Sequence, residues 1–373
     1  MGFWGVALLA LAAALATPAP RAAQAGASHG IPGALPRGFV YRYTDDYHGW
    51  PIAPIHEQHP IRSSFLDPRG LEENGLAGYH FGIDISVNDR HPDPGAPAFL
   101  SHRVYAVESG MTDVRERVDS SPCADRRLAV GHFAYWHVSP TVPDNIWVHA
   151  GSPIGWTCLG QWHVHLSEWQ LLDGRRVWVN PLHAGGKLLP YIDTAPPVIR
   201  ALRFFTPPLV PWHPRIDLMH PDSALPLAAS DLHGRVELRA EIGDPQSFGG
   251  WLAWHRRLET QLHPYRVAVS IRSLASGAIV LNRVAFQSDQ IPSTPYLVHY
   301  APGTVENVPM SECVFLTGIV CRGHLWFRPF SRVKQEFWDT RAVPNGRYEL
   351  VVRAWDVKGN MATRGVSVVV RNP

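Results

Sequence analysis

The chain predicts an all-β fold. Three features carry that expectation. Short runs of alternating or apolar residues recur between turn residues along most of the chain. The 34 prolines and 31 glycines are scattered through those runs without a period, as in a loop-rich β protein. Helical heptads are absent. With 373 residues, 45% hydrophobic and 18% charged, the chain is long enough for two domains, each with a core of its own. The expected architecture is a small antiparallel β domain followed by a β-sandwich.

The N-terminal stretch MGFWGVALLALAAALATPAPRAAQAGA has an apolar run from Phe3 to Ala16 and two small-x-small sites, Ala14-Leu15-Ala16 and Ala23-Gln24-Ala25. Residues 1–25 therefore read as a secretory signal peptide, too short for a comfortable membrane span. No Lys or Arg precedes the apolar run, and an uncleaved anchor is the competing reading. An exported location is expected, with no stable membrane span after cleavage. Removing Arg21 with the signal takes the net charge from +2 to +1, which offers no basic face for a nucleic acid.

Residues 26–59, polar and proline-rich with scattered aromatics, read as a leader that packs on the first domain. That domain is expected over 60–190, from the runs HFGIDISV, RVYAVESGMTDV, LAVGHFAYWHV, NIWVHAGSPIGW, WHVHLSEW and VWVNPL. The adjacent prolines of DTAPPVIRAL mark a boundary. Beyond it, over 195–373, LHGRVELRAEIGD, YRVAVSIRS and IVLNRVAFQ alternate, and the chain closes with two alternating runs around Lys358-Gly359-Asn360. This half resembles the bacterial immunoglobulin-like or fibronectin-type modules of exported enzymes, with an insertion around 288–340 that the pattern does not place. Trp251, Trp254 and Tyr265 read as core aromatics in preference to a carbohydrate platform. In an exported chain the four cysteines, Cys123, Cys158, Cys313 and Cys321, are expected to form two disulfides.

Chemistry enters at GQWHVHLSEW. His163 and His165 stand one residue apart, and strand alternation sends both rings to one face. In a chain with 20 histidines such a pair alone says little. Upstream, GYHFGIDI holds His80 and Asp84, four residues apart; on a straight strand that is about 13 Å. A bend at Gly82 would let the imidazole and the carboxylate converge. With His165 they make two histidines and a carboxylate, a donor set that suits a catalytic zinc with one position left for water.

Read in order, HFGIDI, RVYAVESG, FAYWHVS, VHAGSPIG, HVH and VNPL resemble the lysostaphin-like (LytM-type) zinc metallopeptidases. The resemblance covers roughly residues 60 to 185. It implies a small antiparallel β fold with a groove over Zn2+, His80, Asp84 and His165 as metal ligands, and His137 and His163 as catalytic histidines. Where the family often carries Phe-Glu after its His-x-His, this chain has Leu166-Ser167, with Glu168 one position later. The loop before the pair is short, and a Cys123–Cys158 disulfide would tie the hairpin around Cys123 to the groove, the alternative being two unrelated thiols. His91, His102, His132, His149 and His183 have no partner motif and read as structural or surface groups.

The expected function is that of an exported zinc endopeptidase acting on bacterial peptidoglycan peptides. The alternatives are a catalytically inactive, regulatory wall-binding module and a zinc endopeptidase acting on a non-wall exported protein. Leader histidines His56 and His59 are candidates for blocking the metal's open position. Oligomeric state and the bond cleaved are not legible.

Overall fold

The computed structural model describes residues 39–69, 78–87, 91–115, 127–208, 223–247, 261–293, 296–304, 323–330 and 337–373. Residues 1–38, which include the expected signal segment, and Cys123, Cys313, Cys321, Trp251 and Trp254 lie outside them. The protein is all-β. Among the described residues the helical elements are two three-residue 3-10 turns, Tyr296–Val298 and Thr340–Ala342, and no helix is long and apolar enough to cross a membrane.

Residues 61–179 form two antiparallel sheets. In the larger, the ten-residue strand His163–Leu172 pairs on one edge with Ile83–Ser86 and on the other with Phe133–Trp136. It then turns through Asp173-Gly174, both at positive φ, into Arg175–Val179. Asp-Gly is the dipeptide that a tight hairpin with two left-handed positions favours. RVYAVESGMTDV is not one strand but two. Leu100–Tyr105 joins the small sheet with Pro153–Cys158, and Gly110–Arg115 joins the large one. Val138–Pro140 completes the small sheet, so the chain leaves Phe133–Trp136 and changes sheet at His137.

Residues 198–370 make a six-stranded and a four-stranded sheet. Val198–Phe205, just past the proline pair, is a strand the alternation did not single out; it pairs with Arg235–Pro245. YRVAVSIRS and IVLNRVAFQ become Arg266–Ser273 and Ile279–Gln287, and the closing hairpin runs Gly346–Trp355 to Met361–Val370 with Gly359 at φ +89°. Part of the insertion falls into place. Trp326–Phe327 pairs with Arg235–Pro245, and Tyr300 and Phe327 are fully buried.

The two halves share one apolar cluster, from Trp50 and Ile83 to Leu350 and Val370. Polar contacts bind them as well. Gln246 exchanges hydrogen bonds with the Ile61 backbone, the His263 amide donates to Ser64 Oγ, and the Tyr300 hydroxyl donates to the Leu66 carbonyl. Residues 39–59 contribute to this packing: Trp50 and Ile52 are buried, and the Lys187 ammonium is enclosed by Asp45 and the Tyr47 carbonyl.

Candidate metal centre

On the His163–Leu172 strand, His163, His165 and Ser167 share one face, while Val164, Leu166 and Glu168 point into the core with no measurable exposure. Register supplies the next residue. His165 lies directly across from Asp84, and directly opposed side chains on neighbouring strands sit within contact reach. His80 precedes that strand and reaches the same point because the chain bends at Gly82. A Cβ on Gly82 would overlap the Leu166 carbonyl, Ser167 Oγ and His165 Nε2, so only glycine lets the two segments approach this closely.

Three donor atoms converge. His80 Nε2 is 2.8 Å from His165 Nδ1, and Asp84 Oδ1 is 3.1 Å from each. His163 Nε2 stands 3.6 Å from the same carboxylate oxygen. Tautomers follow from the outer partners. His80 Nδ1 donates to the Ser64 carbonyl at 2.8 Å, and His163 Nδ1 donates to the Gln161 carbonyl at 2.5 Å, so in each neutral ring Nε2 holds the lone pair. His165 Nε2 is 2.8 Å from Ser167 Oγ. Asp84 turns Oδ1 to the histidines, while Oδ2 accepts from Arg69 at 3.2 Å. Arg69 also donates to Ser63 Oγ, and Asp67 accepts from both Ser63 and Ser64, fixing the turn that presents the Ser64 carbonyl to His80.

His80, Asp84, His163 and His165 are each less than a tenth exposed. Burial drives the His163 and His165 rings down to about 4 and lowers His80 as well, so all three are neutral near pH 7. Burial alone would raise Asp84; His80, His163 and His165, which are charged at the acid pH where a carboxyl titrates, outweigh it and hold the carboxyl well below its ordinary range. Neutral imidazoles beside an ionised carboxylate are the protonation states that metal ligation requires. His80, Asp84 and His165 thus form a group able to hold a metal ion.

His137 occupies the point where the chain changes sheet. Its backbone is left-handed, at φ +63°, a conformation rare for a residue with a Cβ, and its ring lies 4.6 Å from that of His163. Trp162, just before His163, is also left-handed at φ +59°. All five residues singled out in the sequence therefore meet in one place.

No family model, curated protein or solved structure matches the chain. The site rests on its own geometry.

Several supporting residues escaped the sequence reading. Ser167, at a position where the sequence departs from the family pattern, is the outer partner of His165. Arg69 and the Ser63–Asp67 turn carry no motif of their own and meet the site only through folding. Glu168 faces the core and accepts from the Tyr43 hydroxyl at 2.8 Å, with His183 Nε2 at 3.1 Å. His132 lies 3.0 Å from the buried Glu108, so it and His183 are structural histidines with acidic partners. The blocking role considered for the leader histidines is not seen for His59, whose Nε2 faces the Pro54 carbonyl and whose ring packs on Trp50. The expected Cys123–Cys158 link falls partly on Cys123, outside the described residues; Cys158 is not a free thiol.

Proposed function

We propose that the protein is an exported zinc-dependent endopeptidase that hydrolyses peptide bonds of bacterial peptidoglycan. The observation that carries this reading is the convergence of His80 Nε2, Asp84 Oδ1 and His165 Nδ1 within 3.1 Å of one another. His80 brings a lone pair and Asp84 a negative charge to one point, and such a grouping is favourable only around a shared proton or a cation. Two nitrogens and one oxygen suit zinc, whose ligands in a tetrahedral shell stand roughly 3.3 Å apart at Zn–N distances of about 2.0–2.1 Å. The present spacings need to open by only a few tenths of an ångström. When bound, zinc supplies Lewis acidity toward a carbonyl and lowers the pKa of water toward about 7.

The chain's own residues supply the rest. His163, neutral and with Nε2 turned toward the ligands, is placed to take a proton from the attacking water and return it to the leaving amine. His137, beside it, is placed to donate to the carbonyl oxygen as negative charge develops there. Arg69 pairs with Asp84 Oδ2 and leaves it Oδ1 for ligation. The Ser64 carbonyl fixes the His80 tautomer, and Ser167 Oγ, 2.8 Å from His165 Nε2, is placed to accept its proton when Nδ1 ligates, the outer support that such centres use. The wall-peptide substrate is supported by the ordered series of lysostaphin-like motifs together with the secretory N-terminus, and the C-terminal half is read as an accessory module for positioning.

The test is release of new amino groups from purified peptidoglycan. The zinc-loaded mature chain is expected to release them, and His163→Ala to retain zinc while losing about 10²–10⁴-fold in rate. A zinc-loaded chain that releases none overturns the proposal.

A further inference from the structure

A second cluster of ionisable groups lies away from the histidines. Asp193 comes from the segment joining the two halves, Asp244 from the end of Arg235–Pro245, and Asp356 from the turn just after Gly346–Trp355. One carboxylate oxygen from each lies within 4.8 Å of the others, and the three residues are 6%, 3% and 1% exposed. Among the described residues none of them forms an ion pair with Lys, Arg or His. Three carboxylates gathered in the interior without a counter-charge are costly to ionise together, and burial with the neighbouring Asp193 and Asp356 pushes Asp244 well up.

The neighbours hold two of the three in place. Asp193 Oδ1 accepts from Ser247 Oγ at 2.7 Å and from the Ala195 amide at 3.1 Å. Asp356 accepts from the Asn360 amide and from Asn360 Nδ2, and that Nδ2 also donates to the Asp193 carbonyl. Asp244 differs. Its Oδ1 is buried and has no hydrogen-bond partner. A small cavity lined by Tyr191, Asp244, Tyr265 and Asn180 opens beside it. A buried acceptor without a hydrogen-bond partner, on a carboxylate within reach of two others, is a group that a cation would satisfy.

We propose that Asp193, Asp244 and Asp356 bind a calcium ion that fastens the joining segment to the C-terminal half. Every donor is an oxygen, which selects a hard cation over zinc. Calcium accepts six to eight oxygens in irregular arrangements, whereas magnesium demands a near-ideal octahedron and holds its water tightly. Carboxylates from three separated segments, with room beside them for water, suit calcium. The site is independent of the peptidase reading and stands or falls without it.

The experiment is calcium titration of the full mature chain after chelator treatment, followed by calorimetry and by thermal unfolding. One calcium per chain is expected, with a Kd in the range of about 10⁻⁴–10⁻³ M typical of extracellular modules. The unfolding midpoint should rise by several degrees in calcium and less in magnesium. Asp244→Asn should abolish both binding and shift, with Asp356→Asn as the second variant should the first not fold. Asp84→Ala should leave both intact. Absence of binding and shift in the parent chain overturns the proposal. So does a shift that persists in the Asp244→Asn or Asp356→Asn chain, or one that vanishes in Asp84→Ala, which would place the calcium at the histidines.

Discussion

Ser167 and Gly82 show how much of the candidate metal centre depends on residues outside its three ligating groups. Removing the Ser167 hydroxyl leaves His165 Nε2 without its 2.8 Å partner. Ser167→Ala is expected to weaken metal affinity by about 10–100-fold, measured by competition with a chelator, while the chain stays folded. Gly82→Ala is harsher, because the added Cβ meets the Leu166 carbonyl as well as side-chain atoms. Protonation acts on the same residues. His163 and His165 sit at about 4 in the folded chain against 6.5 for an ordinary histidine. The unfolded chain therefore binds protons first as pH falls, and the stability these rings contribute is complete above pH 6.5 and is lost between 6.5 and about 4. Urea midpoints of the metal-free chain should fall across that range, and the His163→Gln chain should show a shallower decline.

At the scale of the element, the His163–Leu172 strand organises the site, and its core face is as demanding as its metal face. Leu166 is fully buried between the two flanking strands, so Leu166→Ala is expected to cost about 2–5 kcal/mol by denaturant unfolding and to loosen the His165–Asp84 register. Much of this element was legible beforehand. Period-two alternation put both histidines on one face, and a bend at Gly82 was needed for His80 to meet Asp84. His137 was legible only through its place in the motif series, since a left-handed residue at a change of sheet leaves no periodic signature. Arg69 was not legible, because its contact with Asp84 depends on how the Ser63–Asp67 turn folds back. The same holds for the three aspartates, which lie 51 and 112 residues apart along the chain, from 193 to 244 and from 244 to 356, and carry no local pattern. The insertion could not be placed because Tyr300 and Phe327 are buried by partners distant in sequence.

For the whole molecule, hydrogen bonds tie the histidine and aspartate cluster to the C-terminal half. The Ser64 carbonyl positions His80, while the Ser64 hydroxyl accepts from the His263 amide. Tyr300 reaches the Leu66 carbonyl from the same side. A chain ending at Thr194 is therefore expected to lose solubility and metal affinity together, and the intact protein to unfold in one calorimetric transition. A chain starting at Pro60 would strip Trp50 and Ile52 from the core and should lower the unfolding midpoint rather than activate the site. Elemental analysis of the purified chain beside its Asp84→Ala variant tests the proposed metal centre. About one zinc per parent chain and much less in the variant is the predicted result; a parent chain that holds no zinc when the metal is supplied throughout purification would contradict it.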